Sequence, residues 1–355
     1  MKTLTDNYVP RTDNLSSKKH IMYLDYLRSF AIIAVVLLHC ISDYIVSNDL
    51  YGTRSWYINI IINAVVRTGV PIFFMISGYL ILSSSLTKNF LLFYKKRLMR
   101  ILVPLMIWNL LYYIYDCMIG NLSPSLLSFC GFIVNIGTKY HLWYLYTILG
   151  LYLFAPFLKI IVDNCNGRQL LFLLGIMMLC TSVIPFINFL FSVNIYLFDP
   201  LFNGYIGCFL LGYILGKTDF SPKNIWIINI FAGISFVLSV LLNHIYSSKD
   251  GINLVMNSGY NICHFIIAST LFINAKYLIG NASPFNRTAS FVSEMSFGIY
   301  LIHPLILDLT KRYIMISLSP IFSSLYMFIV VFFSSMLLSM LYYRTNNYLW
   351  RICKK

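Results

Sequence analysis

Residues 23–40 read YLDYLRSFAIIAVVLLHC, an apolar segment long enough to cross a bilayer that nevertheless holds an arginine at 28 and a histidine at 39. Each residue of a helix turns about 100° and rises about 1.5 Å. Eleven steps from Arg28 therefore return to nearly the same face, about 16 Å further along. One face of the first span thus carries a guanidinium near one end and an imidazole deep inside. Ionisable side chains at such depth are costly in hydrocarbon and by default mark a site.

The whole chain has 355 residues, 59% hydrophobic and 11% charged, with mean hydropathy +0.76. A polytopic membrane protein has this composition and a soluble domain does not. Apolar windows of about 20 residues fall near 22–46, 55–82, 98–119, 141–162, 168–191, 200–217, 224–246, 254–278, 289–310 and 322–343. The expected fold is all-α, with about ten transmembrane helices in one membrane domain, residues 21–345. A polar tail (1–20) precedes it and a basic tail (346–355) follows. The stretch 125–137 is too short to span and is expected to lie re-entrant or at the interface. The first apolar run is long and lacks a small-residue cleavage pattern, so it is expected to remain as an anchor.

Net charge is +14. Most of the Lys and Arg residues, including the 88–100 segment KNFLLFYKKRLMR and the basic tail, fall on one side of the ten-span arrangement. Arg54, Lys139, Lys249, Lys311 and Arg312 fall on the other. The positive-inside rule then places both termini in the cytoplasm, and the cations attract anionic membrane lipid. No nucleic-acid partner is expected, because the cations are spread over short loops with no folded module to present them. The eight Cys stand singly, without C-x-x-C spacing. They support neither a metal site nor a disulfide framework.

Other polar residues lie inside the spans. Arg67 sits near mid-membrane in the second window, too deep to snorkel, and must face an anion, carbonyls or water. Gly78 follows eleven residues later on the same expected face; it would admit a ligand or a close helix. Glu294, the only glutamate in the chain, matches Arg28 in depth and either pairs with it or holds a ligand. His303, next to Pro304, reaches roughly the depth of His39, as a cavity residue or a structural one. His141 and Trp143 read as interfacial anchors. Pro71, Pro104, Pro156, Pro185 and Pro304 each free a carbonyl that neighbours or water must satisfy.

Burial and nearby cations disfavour a charged imidazole, so His39 is expected to be a neutral base, while the arginines call for an anionic ligand. An arginine near the cytoplasm with a base about 16 Å deeper suits a ligand with phosphates at one end and a reactive carbon on a long thin arm. Acyl-coenzyme A has that shape.

With these residues in place, the chain resembles the acyltransferase-3 family of integral-membrane O-acyltransferases, over essentially its whole length. The blocks are YLDYLRSFAIIAVVLLH, GVPIFFMISGYLI, FYKKRLMRILVPLMIWNLLY, YHLWYLYTILGLYLFAPFL and SFGIYLIHPLIL, in the family's order. They look most similar to the enterobacterial common antigen and O-antigen O-acetyltransferase branch. The resemblance implies transfer of acetyl from cytoplasmic acetyl-CoA, a donor substrate and not a resident cofactor, to a polysaccharide or undecaprenyl-linked sugar hydroxyl. It also implies the bacterial inner membrane. His39 matches the family's catalytic His and Arg28 its donor-engaging Arg. Arg67 and Gly78 match a second Arg and Gly spacing, and Glu294 matches an acidic position before the late block. SGY stands where SGF is frequent. Some relatives carry a fused hydrolase-like domain that this sequence lacks, so transfer is expected to finish within the membrane domain.

The expected site therefore comprises His39, Arg28 and Arg67 for chemistry, with Arg28, Arg67, Gly78 and Glu294 holding the donor and the 88–100 loop near its phosphates. The rival reading is a transporter or flippase of a lipid-linked glycan or anionic solute, with Arg67 and Glu294 as substrate and coupling groups. A membrane scaffold without activity is the third.

Overall fold

The computed structural model describes residues 21–134, 139–193, 195, 204–254, 256, 258–259, 261–279, 283–314 and 319–352. The polar tail 1–20 and the last residues of the basic tail, 353–355, lie outside the described residues. Among the described residues every regular element is a helix. Eight helical stretches among them are long and apolar enough to cross a membrane, and they fall on eight of the ten windows. The other two windows, near 200–217 and 254–278, hold shorter apolar helices of 14 and 17 residues.

The chain opens with α1 (Met22–Ile45), α2 (Arg54–Val66) and α3 (Gly69–Leu82). The single window 55–82 is thus two helices, broken at Arg67 and Thr68. The sequence RTGVP accounts for the break. Pro71 has no N–H for the Arg67 carbonyl four residues back, and Gly69 lies so close to α1 that a Cβ there would stand 2.8 Å from the Ala31 oxygen. Next come α4 (Phe90–Arg97), α5 (Met99–Met118), α6 (Leu126–Val134), α7 (Trp143–Asn164) and α8 (Gly167–Met178). At nine residues α6 is too short to span, as expected of the 125–137 stretch, of which 135–137 lie outside the described residues. A π-helical turn, Leu179–Val183, joins α8 to α9 (Ile184–Phe191). The chain closes with α10 (Gly204–Lys217), α11 (Pro222–Ile245), α12 (Ile262–Leu278), α13 (Asn286–Tyr313) and α14 (Pro320–Ile352).

The helices sort into two compact units, Met1–Tyr79 with Asn166–Lys355, and Leu80–Cys165. In the larger unit α13 packs against both α1 and α14. Leu38, Ile41 and Ile45 of α1 bury against Trp56 and Ile60 of α2, and the Trp56 indole donates to the Ile45 carbonyl at 3.0 Å. Lipid tails are as apolar as these side chains, so close backbone approach, not exclusion from water, must hold such helices together. Two glycines provide it where α3 meets α10. A Cβ on Gly78 would lie 1.8 Å from the Phe209 oxygen, and one on Gly212 would lie 2.0 Å from the Met75 oxygen.

In the smaller unit, Lys139 pairs with buried Asp116 at 2.7 Å and lies over the rings of Tyr112 and Tyr115. His141, expected as an interfacial anchor, is instead buried and packs edge-on against Tyr112 at 5.1 Å. The Tyr140 ring also lies edge-on to that imidazole, at 5.8 Å.

Candidate active site

Both residues of the opening motif lie on α1, which runs without interruption from Met22 to Ile45. The about 16 Å separation of Arg28 and His39 along one face therefore stands. At the Arg28 end, the guanidinium lies 3.8 Å from Asp25. Buried Asp25 also accepts from the Ser290 and Ser293 hydroxyls, both at 2.8 Å. Ser29 donates to the Ala289 carbonyl at 2.7 Å. These bonds zip α1 to α13 and leave the Arg28 side chain about a third exposed, at 32%. Glu294, on the same stretch of α13, is exposed.

At the other end, His39 is half-buried. Its ring stacks on that of His303, with centroids 5.4 Å apart and planes inclined by 26°. Equal depth, expected from position in each span, is thus contact between α1 and α13. Arg67 and Lys311 lie within electrostatic reach of His39, and Lys311 is ion-paired with Asp43 of α1.

Arg67 belongs to the break between α2 and α3. Its Nε donates to the Asn63 amide oxygen at 3.1 Å, and Asn63 is fully buried. One fork of the guanidinium is thereby anchored to its own helix, and the planar group retains further donors. Tyr205 of α10 and His264 of α12 lie within electrostatic reach. Gly259 approaches the break so closely that a Cβ on it would stand 2.9 Å from the Tyr205 hydroxyl and 3.5 Å from the Arg67 carbonyl oxygen.

His264 was not singled out from sequence. Its backbone N–H donates to the capping Asn261 side chain at 3.0 Å, and its Nδ1 lies 3.1 Å from the Ser258 oxygen. The Asn261 side-chain amide nitrogen lies 2.9 Å from the same Nδ1. Nε2 is buried with no hydrogen-bond partner among the described residues. The available signal was an imidazole inside an apolar window, the same signal as at His39. What hid it was the absence of a second ionisable residue at helical spacing.

The structure therefore brings His39, Arg67, His303 and His264 into one region of the larger unit, with Arg28 further along the face of α1. Gly78 serves the α3–α10 crossing. Among the described residues, no group of three His, Cys, Asp or Glu is arranged to hold a metal ion.

An imidazole beside a guanidinium on membrane helices is the equipment of proton abstraction and oxyanion stabilisation. The acyltransferase-3 family model, an acyltransferase domain, matches residues 21–344, and the chain belongs to that family. It is a multi-pass membrane acyltransferase. Comparison with curated proteins and with solved structures gives no match.

Proposed function

We propose that this acyltransferase moves an acetyl group from cytoplasmic acetyl-CoA to a hydroxyl of a cell-surface or lipid-linked polysaccharide, in the bacterial inner membrane. The observation that carries the reading is His39 stacked on His303 beside Arg67, on the same helix face as Arg28. Arg28 engages the donor from the cytoplasmic end, and the pantetheine arm covers the distance to His39. His39 then takes the proton of the attacking sugar hydroxyl. The new ester C–O bond forms, the thioester C–S bond breaks, and the proton passes from His39 to the departing thiolate. Alternatively His39 attacks the thioester itself, a C–N bond forming as the C–S bond breaks and the thiolate departs; the hydroxyl then takes the acetyl, the C–N bond breaks and the hydroxyl proton goes to the thiolate. In both routes Arg67 faces the oxyanion that develops on the thioester carbonyl.

The test is inverted membrane vesicles supplied with labelled acetyl-CoA, followed by mass spectrometry of the polysaccharide. A mass gain of one acetyl that depends on His39 supports the reading. A His39→Ala protein that is inserted and still acetylates removes the proposed base. Movement of an unmodified sugar lipid with no acetyl-CoA consumed would replace the reading with a flippase.

A further inference from the structure

Pro304 lies inside α13, which continues past it to Tyr313. Proline has no N–H, so the Tyr300 carbonyl, four residues back, loses its helical donor. The side chain of the preceding residue replaces it. His303 Nδ1 lies 2.8 Å from the Tyr300 oxygen and 3.2 Å from the Ile299 oxygen. Carbonyl oxygens only accept, so Nδ1 carries the proton and the lone pair of the neutral ring is at Nε2. His303 is fully buried, and the Tyr300 ring lies 6.0 Å from it on the same helix. Its ring faces His39 at 5.4 Å.

We propose that His303 is a positioning residue for His39. The carbonyl that Pro304 leaves open holds its ring in one tautomer and one plane, and the stacked ring fixes the orientation of His39 for transfer. The two parts of His303 have separate tasks. Its Nδ1 edge ties it to its own helix, and its face meets the imidazole on α1. A base turned away from the attacking hydroxyl loses turnover without losing donor, and a displacement of about 1 Å is enough to cost roughly 100-fold in rate. This inference rests on the reading of His39 as base or acetyl carrier.

Three variants of the full chain, in the membrane, separate the tasks. His303→Asn keeps a donor for the Tyr300 carbonyl and removes the ring face. His303→Phe keeps a ring face and removes the donor. Pro304→Ala returns an N–H that competes for the carbonyl. The expected result is a kcat at least about tenfold lower in His303→Asn, with KM for acetyl-CoA within about twofold of wild type. His303→Phe and Pro304→Ala should show smaller losses, again in kcat. Spectra of the ¹⁵N-histidine-labelled protein should show a neutral ring protonated at Nδ1 that disappears in His303→Asn. A ring at position 303 protonated at Nε2, a KM that rises as kcat falls, or wild-type kcat in His303→Asn would each overturn the proposal. Should His303→Asn not accumulate in the membrane, Pro304→Ala decides: a lower kcat at unchanged KM supports the proposal, and wild-type kcat overturns it. Turnover that survives His39→Ala defeats the reading of His39 itself. A dead His39→Ala beside a fully active His303→Asn defeats only the positioning role.

Discussion

The two ends of α1 treat their ionisable residues in different ways. At the cytoplasmic end of the proposed path, Arg28 has a carboxylate beside it, and that carboxylate is saturated by serine hydroxyls from α13. At the other end, His39 meets a second imidazole, Arg67 and Lys311. Charge at the first end is neutralised and tied into the fold. At the second, Lys311 is itself paired with Asp43 of α1, and it is the Arg67 guanidinium that suits an anionic transition state. One helix can do both because eleven residues place the two environments about 16 Å apart.

The sharpest break of this contrast is at His39. His39→Ala should lower acetyl transfer by about 10²–10⁴-fold, the usual contribution of a general base, measured as acetyl mass gain on polysaccharide at equal protein in the membrane. Arg67→Ala should lower kcat by about 10²–10³-fold, as loss of an oxyanion donor does. Arg67→Lys should recover little of it, since an ammonium lacks the fork that keeps Nε on Asn63. Gly78→Ala tests the framework beneath both ends. Its Cβ would stand 1.8 Å from the Phe209 oxygen, so α3 and α10 must separate. A stability loss of about 1–3 kcal/mol is expected, seen as a lower unfolding midpoint in detergent.

Effects at the Arg28 end should be smaller and of another kind. Arg28→Gln should raise KM for acetyl-CoA about tenfold and leave kcat nearly unchanged, since the side chain is too far from His39 to act on the reacting atoms. An equal fall in kcat would mean that the two ends are not separate. As a baseline, Gly175→Ala has nothing within 4 Å of the added Cβ, and its effect should stay within about 0.5 kcal/mol.

Much of the fold was legible because membrane helices announce themselves by length and hydropathy, and eight windows recur as long helices. The break at Arg67 was not. Thr68, Gly69 and Pro71 sit in a run so apolar that the window average conceals them. Gly78 showed a similar blind spot. A glycine eleven residues after an arginine reads equally as room for a ligand or for a helix, and only the position of Phe209 shows that a helix fills it. His141 looked interfacial because aromatic residues surround it. Tyr112 and Tyr140 flank it instead, and it is buried.

By itself the sequence determined what one helix can specify: the membrane class, the shared face of Arg28 and His39, the matching depth of His303, and the carbonyls that Pro71 and Pro304 must leave unpaired. These follow from local periodicity and from missing N–H groups. The tertiary structure alone decided which rings touch, that Asp25 answers to two serines of α13, and that His264 and Tyr205 surround the Arg67 break. Such pairings join residues up to about 270 positions apart, and no helical period encodes which neighbouring helix will supply the partner.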